Sequence, residues 1–200
     1  MTQTAGAPGR LERRKARTRA AIVAAATRLF HEHGYEETSI QQIAELADCG
    51  VGTLYGYFAS KEEILREVLH QARNEALGKY FATVDERTPA IDRVCRALDS
   101  LAEYLRSNRR IVVAMFQIVV RNRPVEEEQA VWLYNQFWEL LTEGIARGEL
   151  RRVPVDATVR MLVTTYMTAS LGIGAWQGRE DDPALAGDLE VLTRGLLEPG

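Results

Sequence analysis

Two short helical stretches joined by about three residues set the tightest limit on how this chain folds. Over 38–47, Ile40, Ile43, Ala44 and Ala47 supply one apolar stripe at helical spacing. Thr38 and Gln41 stand at capping-box spacing, in which side chains satisfy free amides of a first helical turn. Asp48-Cys49-Gly50 breaks the stripe, and a third, short helix is expected over 51–57. Helix, tight turn and helix make a helix-turn-helix by length. The second stretch interleaves Gly50, Gly52 and Gly56 with Thr53, Leu54, Tyr55, Tyr57 and Phe58. Glycine weakens a helix, so its presence there asks for a reason.

The rest of the chain also has helical periodicity. Ile22, Ala25, Ala26, Leu29 and Phe30 line one face of a helix over about 11–33, which Gly34 ends. Ser60 and Glu63 form a second capping box and open a long helix striped by Ile64, Leu65, Val68, Leu69 and Ala72. A break at 84–89 precedes a helix over 90–106. Residues 110–121, RIVVAMFQIVVR, are apolar on every side; their β-branched content suits a strand, but length and context favour a buried helix. Pro124 is expected to open the next helix. There Val131, Tyr134, Trp138, Leu141 and Ile145 form one stripe, and Leu133, Phe137, Leu140 and Gly144 another. A helix apolar on two sides is expected to be covered on two sides. Gly148 ends it. A helix from Asp156 to about Trp176, a loop at QGREDDP and a last helix with Leu185, Leu189, Leu192 and Leu196 complete the pattern. The expected fold class is all-α, with about nine helices.

The net charge of the 200 residues is −3, which by itself argues against nucleic acid. The distribution argues the other way. Residues 10–19 hold Arg10, Arg13, Arg14, Lys15, Arg17 and Arg19 against Glu12 alone, a local charge of +5 that leaves −8 on the remainder. A basic segment on an acidic body suggests a localised anionic partner, nucleic acid or membrane surface; the alternative is a solvated tail with no partner. No apolar run approaches the length of a membrane span, and the basic start lacks the apolar core of a signal peptide. Two cysteines, Cys49 and Cys95, fit a reducing compartment, so a cytoplasmic protein with no membrane partner is expected.

A helix-turn-helix preceded by a helix with a basic start is a three-helix DNA-binding unit, whose second paired helix enters the major groove. Backbone approaching phosphates closely favours glycine, and Gly50 and Gly52 lie where that helix begins. Lys61 falls in the first turn of the following helix, a poor place for a cation unless an outside anion meets it.

The segment GYEETSIQQIAELADCGVGTLYGYFASKEEIL, residues 34–65, resembles the DNA-binding signature of the TetR family. Gly34, Tyr35, Thr38, Ile43, Ala44, Ala47, Gly52, Thr53, Leu54, Tyr55, Tyr57, Phe58, Ser60, Lys61 and Glu62 stand in register with it, and the resemblance covers about residues 15–70. It implies a homodimeric transcription regulator, usually a repressor. A C-terminal helical domain would bind a small molecule, and the last two helices would pair the subunits. The implied division is a disordered tail at 1–9, a helix-turn-helix domain at 10–59 and an effector-binding and dimerisation domain at 60–200. By the same resemblance Thr38, Thr53, Tyr57 and Lys61 hold phosphates, while Gly50, Val51 and Tyr55 face the groove beside Gly52. Gln41 and Gln42 lie near its edge. The basic start, with Arg14 and Arg17, would reach the adjacent minor groove or backbone. Only Val51, Tyr55 and a glutamine could read base edges. Asp48-Cys49-Gly50 departs from the glycine, valine and serine usual in that turn. Asp48 must then take the left-handed conformation, and Gly50 forgoes a side-chain cap.

Other signals are weaker. Cys49 is expected as a small core residue rather than a redox sensor. His31 and His33 are two apart and cannot share a helix face, so no metal site is expected. No catalytic set and no phosphate-cradling loop has motif support, so neither an enzyme nor a cofactor is expected. The dense aromatic residues of the C-terminal half suit ordinary core or an apolar pocket with few polar groups. Candidate pocket residues are Tyr104, Phe116, Gln117, Trp132, Asn135, Phe137, Met161, Thr165 and Tyr166, for a lipophilic or aromatic effector. Candidate dimer residues are Gly172, Trp176, Leu185, Leu189, Leu192 and Leu196 in a two-fold four-helix interface, with Gly172 and Gly174 allowing close helix approach. The expected function is a ligand-responsive homodimeric repressor on a palindromic DNA operator. The alternative is a regulator of the same fold that ignores ligands, needs a corepressor or activates.

Overall fold

The computed structural model describes residues 9–85, 87–122, 128–173 and 183–199. The described residues are helical and contain no strand. Apart from Gly9, the expected tail at 1–9 lies outside them. The chain divides into two compact units, Met1–Leu69 and His70–Gly200.

The first unit opens with α1 (Arg10–Glu32), which buries Ile22, Val23, Ala25, Ala26, Leu29 and Phe30. Its end is closed by the amides of His33 and Gly34, which donate to Leu29 O and Phe30 O at 2.8 and 3.0 Å. Gly34 then turns the chain at φ 90°, a conformation that costs an L-residue but not glycine. The second helix, α2 (Ile40–Leu46), is capped by Ser39 and not by the expected Thr38. Ser39 Oγ accepts from Gln42 N at 3.2 Å, and Gln42 Oε1 accepts from Ser39 N at 2.8 Å. The capping box therefore sits one residue later than the spacing of Thr38 and Gln41 suggests, because Thr38 is buried and its hydroxyl donates to Gly34 O. Asp48 takes the left-handed conformation expected of it, φ 51°, and Cys49 N donates back to Ala44 O at 3.0 Å. The third helix, α3 (Val51–Tyr55), follows from an uncapped Gly50. Ile22, Phe30, Ile43, Leu54, Phe58, Ile64 and Leu65 form the core beneath it, each essentially without exposure.

The fourth helix, α4 (Lys61–Arg73), continues through a π turn at Asn74–Gly78 into α5 (Lys79–Thr83). Beyond the break come α6 (Ala90–Ser107), α7 (Arg109–Asn122), α8 (Glu128–Ala146), α9 (Val155–Leu171) and α10 (Pro183–Leu197). The centre of the second unit is α6, whose Ala90, Val94, Ala97, Leu98 and Leu101 are buried. Gly144 on α8 lets that helix come close: a Cβ there would meet Leu150 Cδ1 at 2.6 Å and Ala90 Cβ at 2.8 Å. Arg194 on α10 reaches Asp92 on α6 at 2.8 Å.

Three helix expectations are corrected. α7 is a helix but is not buried all round: Ile111 is enclosed, whereas Phe116 is 45% exposed. α8 covers its two stripes unequally, and the stripe of Val131 and Trp138 is enclosed only at Leu141. Phe137, Leu140 and Gly144 are buried, but Trp138 and Val131 on the other stripe stay exposed. α9 ends at Leu171, not near Trp176, because Gly172 turns left-handed at φ 65°. Arg109 Nε covers the freed Leu171 carbonyl at 3.1 Å. Gly172 thus stops the helix rather than opening its face. Pro124, Gly174, Trp176 and residues 177–182 of the expected loop lie outside the described residues.

Candidate nucleic-acid interface and effector core

The first unit presents a polar face on α2 and α3. Gln41, Gln42, Gly50, Gly52, Thr53 and Tyr55 are exposed there, with Val51 and Tyr57 half-buried beside them. Tyr55, at 52% exposure, is a large ring held outward on a five-residue helix. Leu54 anchors that helix by pointing into the core. Gln42 has its carbonyl oxygen engaged by Ser39, which leaves Gln41 the less committed of the two amides. Arg14 and Arg17 are exposed on the first turns of α1. Leu46, at 43% exposure, joins this face from the end of α2 and was not singled out by the sequence, since its apolar character read as core.

Two expected phosphate ligands turn inward. Thr38 is 2% exposed and its hydroxyl donates to Gly34 O at 2.7 Å. Lys61 Nζ donates to Tyr35 O and Thr38 O at 2.9 Å each and to Glu36 O at 3.4 Å. It also stands 4.2 Å from the centre of the Tyr35 ring. The cation in the first turn of α4 therefore meets internal carbonyls, and no outside anion is needed to explain it. Arg19 stays exposed but is engaged within the chain. It makes a two-pronged bond to Glu67 at 2.8 and 2.9 Å, with its guanidinium 5.0 Å from the Phe58 ring centre. Cys49 is half-buried, and burial with the Asp48 charge raises its thiol pKa, so the reactive thiolate is disfavoured.

In the second unit the nine candidate effector residues fall into two groups. Tyr104, Phe137 and Tyr166 are buried, and Trp132 is half-buried. Phe116, Gln117, Asn135, Met161 and Thr165 are exposed. The inner group acquires two members that the sequence reading missed. Phe81 packs edge-on against Trp132 and Phe137, at 5.8 and 6.0 Å between ring centres. The buried Arg73 guanidinium stands 4.5 Å from the Trp132 ring centre. Burial lowers the Arg73 pKa and pushes Tyr104 up to about 12. A signal for Arg73 existed, since it follows the apolar stripe of the long helix at helical spacing from Leu69.

The expected dimer stripe is only partly outward. Leu185 and Leu192 are exposed, whereas Leu189 and Leu196 are half-buried beside the buried Thr193 and Leu197. Val191, at 68% exposure, and Met161 on α9, at 50%, add apolar surface to these last two helices. Among the described residues no helix is long and apolar enough to cross a membrane, and no group of side chains has metal-binding geometry.

Residues 22–68 match the family of bacterial regulatory proteins, tetR family. The chain is 26% identical to the uncharacterized HTH-type transcriptional regulator YhgD of Bacillus subtilis, over 88% of this chain and 94% of that one. It is 24% identical to the fatty acid metabolism regulator protein of Bacillus subtilis, covering 73% and 81%. The structure of FadR from Bacillus subtilis with stearoyl-CoA is similar in fold, with a TM-score of 0.68 at 22% identity over 87% of this chain and 96% of that one. The N-terminal region is thus similar to the tetR family of bacterial regulatory proteins, and the relatives that the chain resembles over most of its length are named as regulators.

Proposed function

We propose that the protein is a homodimeric, effector-responsive repressor that binds a palindromic operator through α2 and α3. The observation that carries this reading is the polar, glycine-bearing face of α3. There Thr53 and Tyr55 are held outward on a helix whose only buried side chain is Leu54. Two such helices, one per subunit, would enter successive major grooves about one helical turn apart or more. Exposed apolar residues on α9 and α10, Met161, Leu185, Val191 and Leu192, support subunit pairing through those helices. The effector proposed is lipophilic, held against Phe81, Trp132 and Phe137 with its polar end toward Arg73. The stearoyl-CoA bound by the FadR neighbour makes a long-chain acyl thioester the first compound to try. Its action would be a population shift: an effector that binds better to dimers with wrongly spaced DNA-binding units lowers operator affinity. The reading fails if free and effector-bound dimers hold the operator equally well.

The testing experiment is selection of bound sequences from a random duplex DNA pool. A recovered palindrome supports a dimeric operator binder; no enrichment with or without acyl thioester contradicts it. A second reading, a ligand-independent regulator of the same fold, is favoured by one observation: Tyr104, Phe137 and Tyr166 are enclosed by the chain itself.

A further inference from the structure

Arg93 is the most enclosed cation among the described residues, at 2% exposure, and the chain leaves most of it unsatisfied. Its Nη1 meets Glu143 Oε2 at a long 3.4 Å, while its Nε and Nη2 are buried with no hydrogen-bond partner among the described residues. Glu143 is itself divided, since its other oxygen is held by Arg147, which also reaches Glu149 at 4.0 Å. A buried guanidinium with idle donors destabilises the fold unless an acceptor meets it. The packing of α6 does not ask for a cation there, since Ala90, Val94 and Ala97 around it are buried apolar positions.

The surroundings of Arg93 indicate the missing acceptor. Eleven residues, or three helical turns, separate Arg93 from Tyr104 on α6 and Trp132 from Glu143 on α8. Each pair therefore shares one helix face, its members about 16 Å apart. At one end Arg73 stands 4.5 Å from the Trp132 ring centre, near enough to Tyr104 for their charges to interact. At the other end Arg93 stands beside Glu143, and its carbonyl accepts from the Tyr80 hydroxyl at 2.5 Å. Between the ends Phe81 packs edge-on against Trp132, Phe137 and Tyr80. α5, α6 and α8 thus hold an aromatic seam with a buried cation at each end.

We infer that Arg93 binds a second acidic group of the effector, so that the ligand is a long apolar molecule with one carboxylate on Arg73 and another on Arg93. This rests on the effector reading above, which assigns one polar end and leaves the other open. Nε and Nη2 form one edge of the guanidinium, and a carboxylate fits such an edge with two parallel bonds. A simple fatty acid would set a methyl group against those donors and leave them idle.

The test titrates wild type, Arg93→Met and Arg93→Lys calorimetrically with α,ω-dicarboxylic acids of increasing length and with monocarboxylic acids of the same lengths, and measures ligand-free thermal midpoints. The inference expects one chain length at which the diacid binds wild type at least tenfold more tightly than the monoacid. Arg93→Met abolishes that preference and keeps monoacid affinity within threefold. It melts at or above the wild-type midpoint, because an apolar side chain replaces an unsatisfied buried charge. Arg93→Lys, which keeps the charge without the two-donor edge, retains only part of the preference. Equal binding of the two acids by wild type, or a preference that survives in Arg93→Met, overturns the inference and leaves the effector reading standing. A lowered midpoint for ligand-free Arg93→Met shows that the chain itself uses this cation, and overturns the missing acceptor. Acetate that raises the midpoint of wild type as much as the diacid does, but not that of Arg93→Met, assigns Arg93 to a free anion and overturns the two-ended ligand. Wild type that binds neither acid defeats the effector reading, and this inference with it.

Discussion

Gly52 in the first unit and Gly144 in the second are both helical glycines, and they do opposite work. Around Gly52 a side chain would find open space; around Gly144 it would find Leu150 and Ala90 at 2.6–2.8 Å. The second unit uses the missing side chain to bring α8 against α6. The first unit leaves the gap outside, on the same face as Thr53 and Tyr55. Its polar groups follow a related division. Lys61 and Thr38 bond to carbonyls of the chain itself, while Gln41, Thr53 and Tyr55 stay outward. Small helices that must meet an outside partner are held by charges and caps as well as by core, whereas the longer helices of the second unit are held by close packing.

Three substitutions sharpen or break this contrast, from the largest expected effect to the smallest. Gly144→Val forces α8 away from Ala90 and Leu150, and overpacking of this kind costs about 3 kcal/mol. A shift in the urea midpoint measures it, and an unchanged midpoint would mean that the close approach is slack. Lys61→Met keeps the apolar stem over Tyr35 but leaves three carbonyls without their donor, costing about 2 kcal/mol. If the variant keeps wild-type stability yet loses DNA binding, Lys61 is an external phosphate ligand after all and its internal bonds are incidental. Ser39→Ala removes one half of the α2 capping box and costs about 1 kcal/mol. Thr38→Ser, which keeps the hydroxyl donating to Gly34, is the companion that separates the cap from its neighbour.

The first unit was legible in the sequence because its determinants are local. The Asp48 turn and the Gly34 stop each follow from a residue type at a fixed offset, and each stands as expected. Ser39 displaced Thr38 as the cap because two hydroxyls stood side by side, and spacing alone did not say which was buried. The internal partners of Lys61 were not legible for a different reason. Its carbonyl partners lie more than twenty residues back in the chain, at Tyr35, Glu36 and Thr38, where periodicity carries no information. The second unit was legible only as helices. Which stripe of α8 is covered, and whether Phe116 or Tyr104 faces inward, depends on how long helices rotate against one another. The same limit hid Arg73, whose significance comes from Trp132, nearly sixty residues on.

Salt dependence of binding to the selected duplex tests the central claim most directly, since phosphate contacts release counterions and make affinity fall steeply as salt rises. The account predicts a linear fall of log affinity with log salt for wild type, and a slope shallower by about 1 for Arg17→Ala, which removes one exposed cation of α1. A flat salt response, or an Arg17→Ala slope equal to that of wild type, would contradict a DNA interface built on α1 and α3.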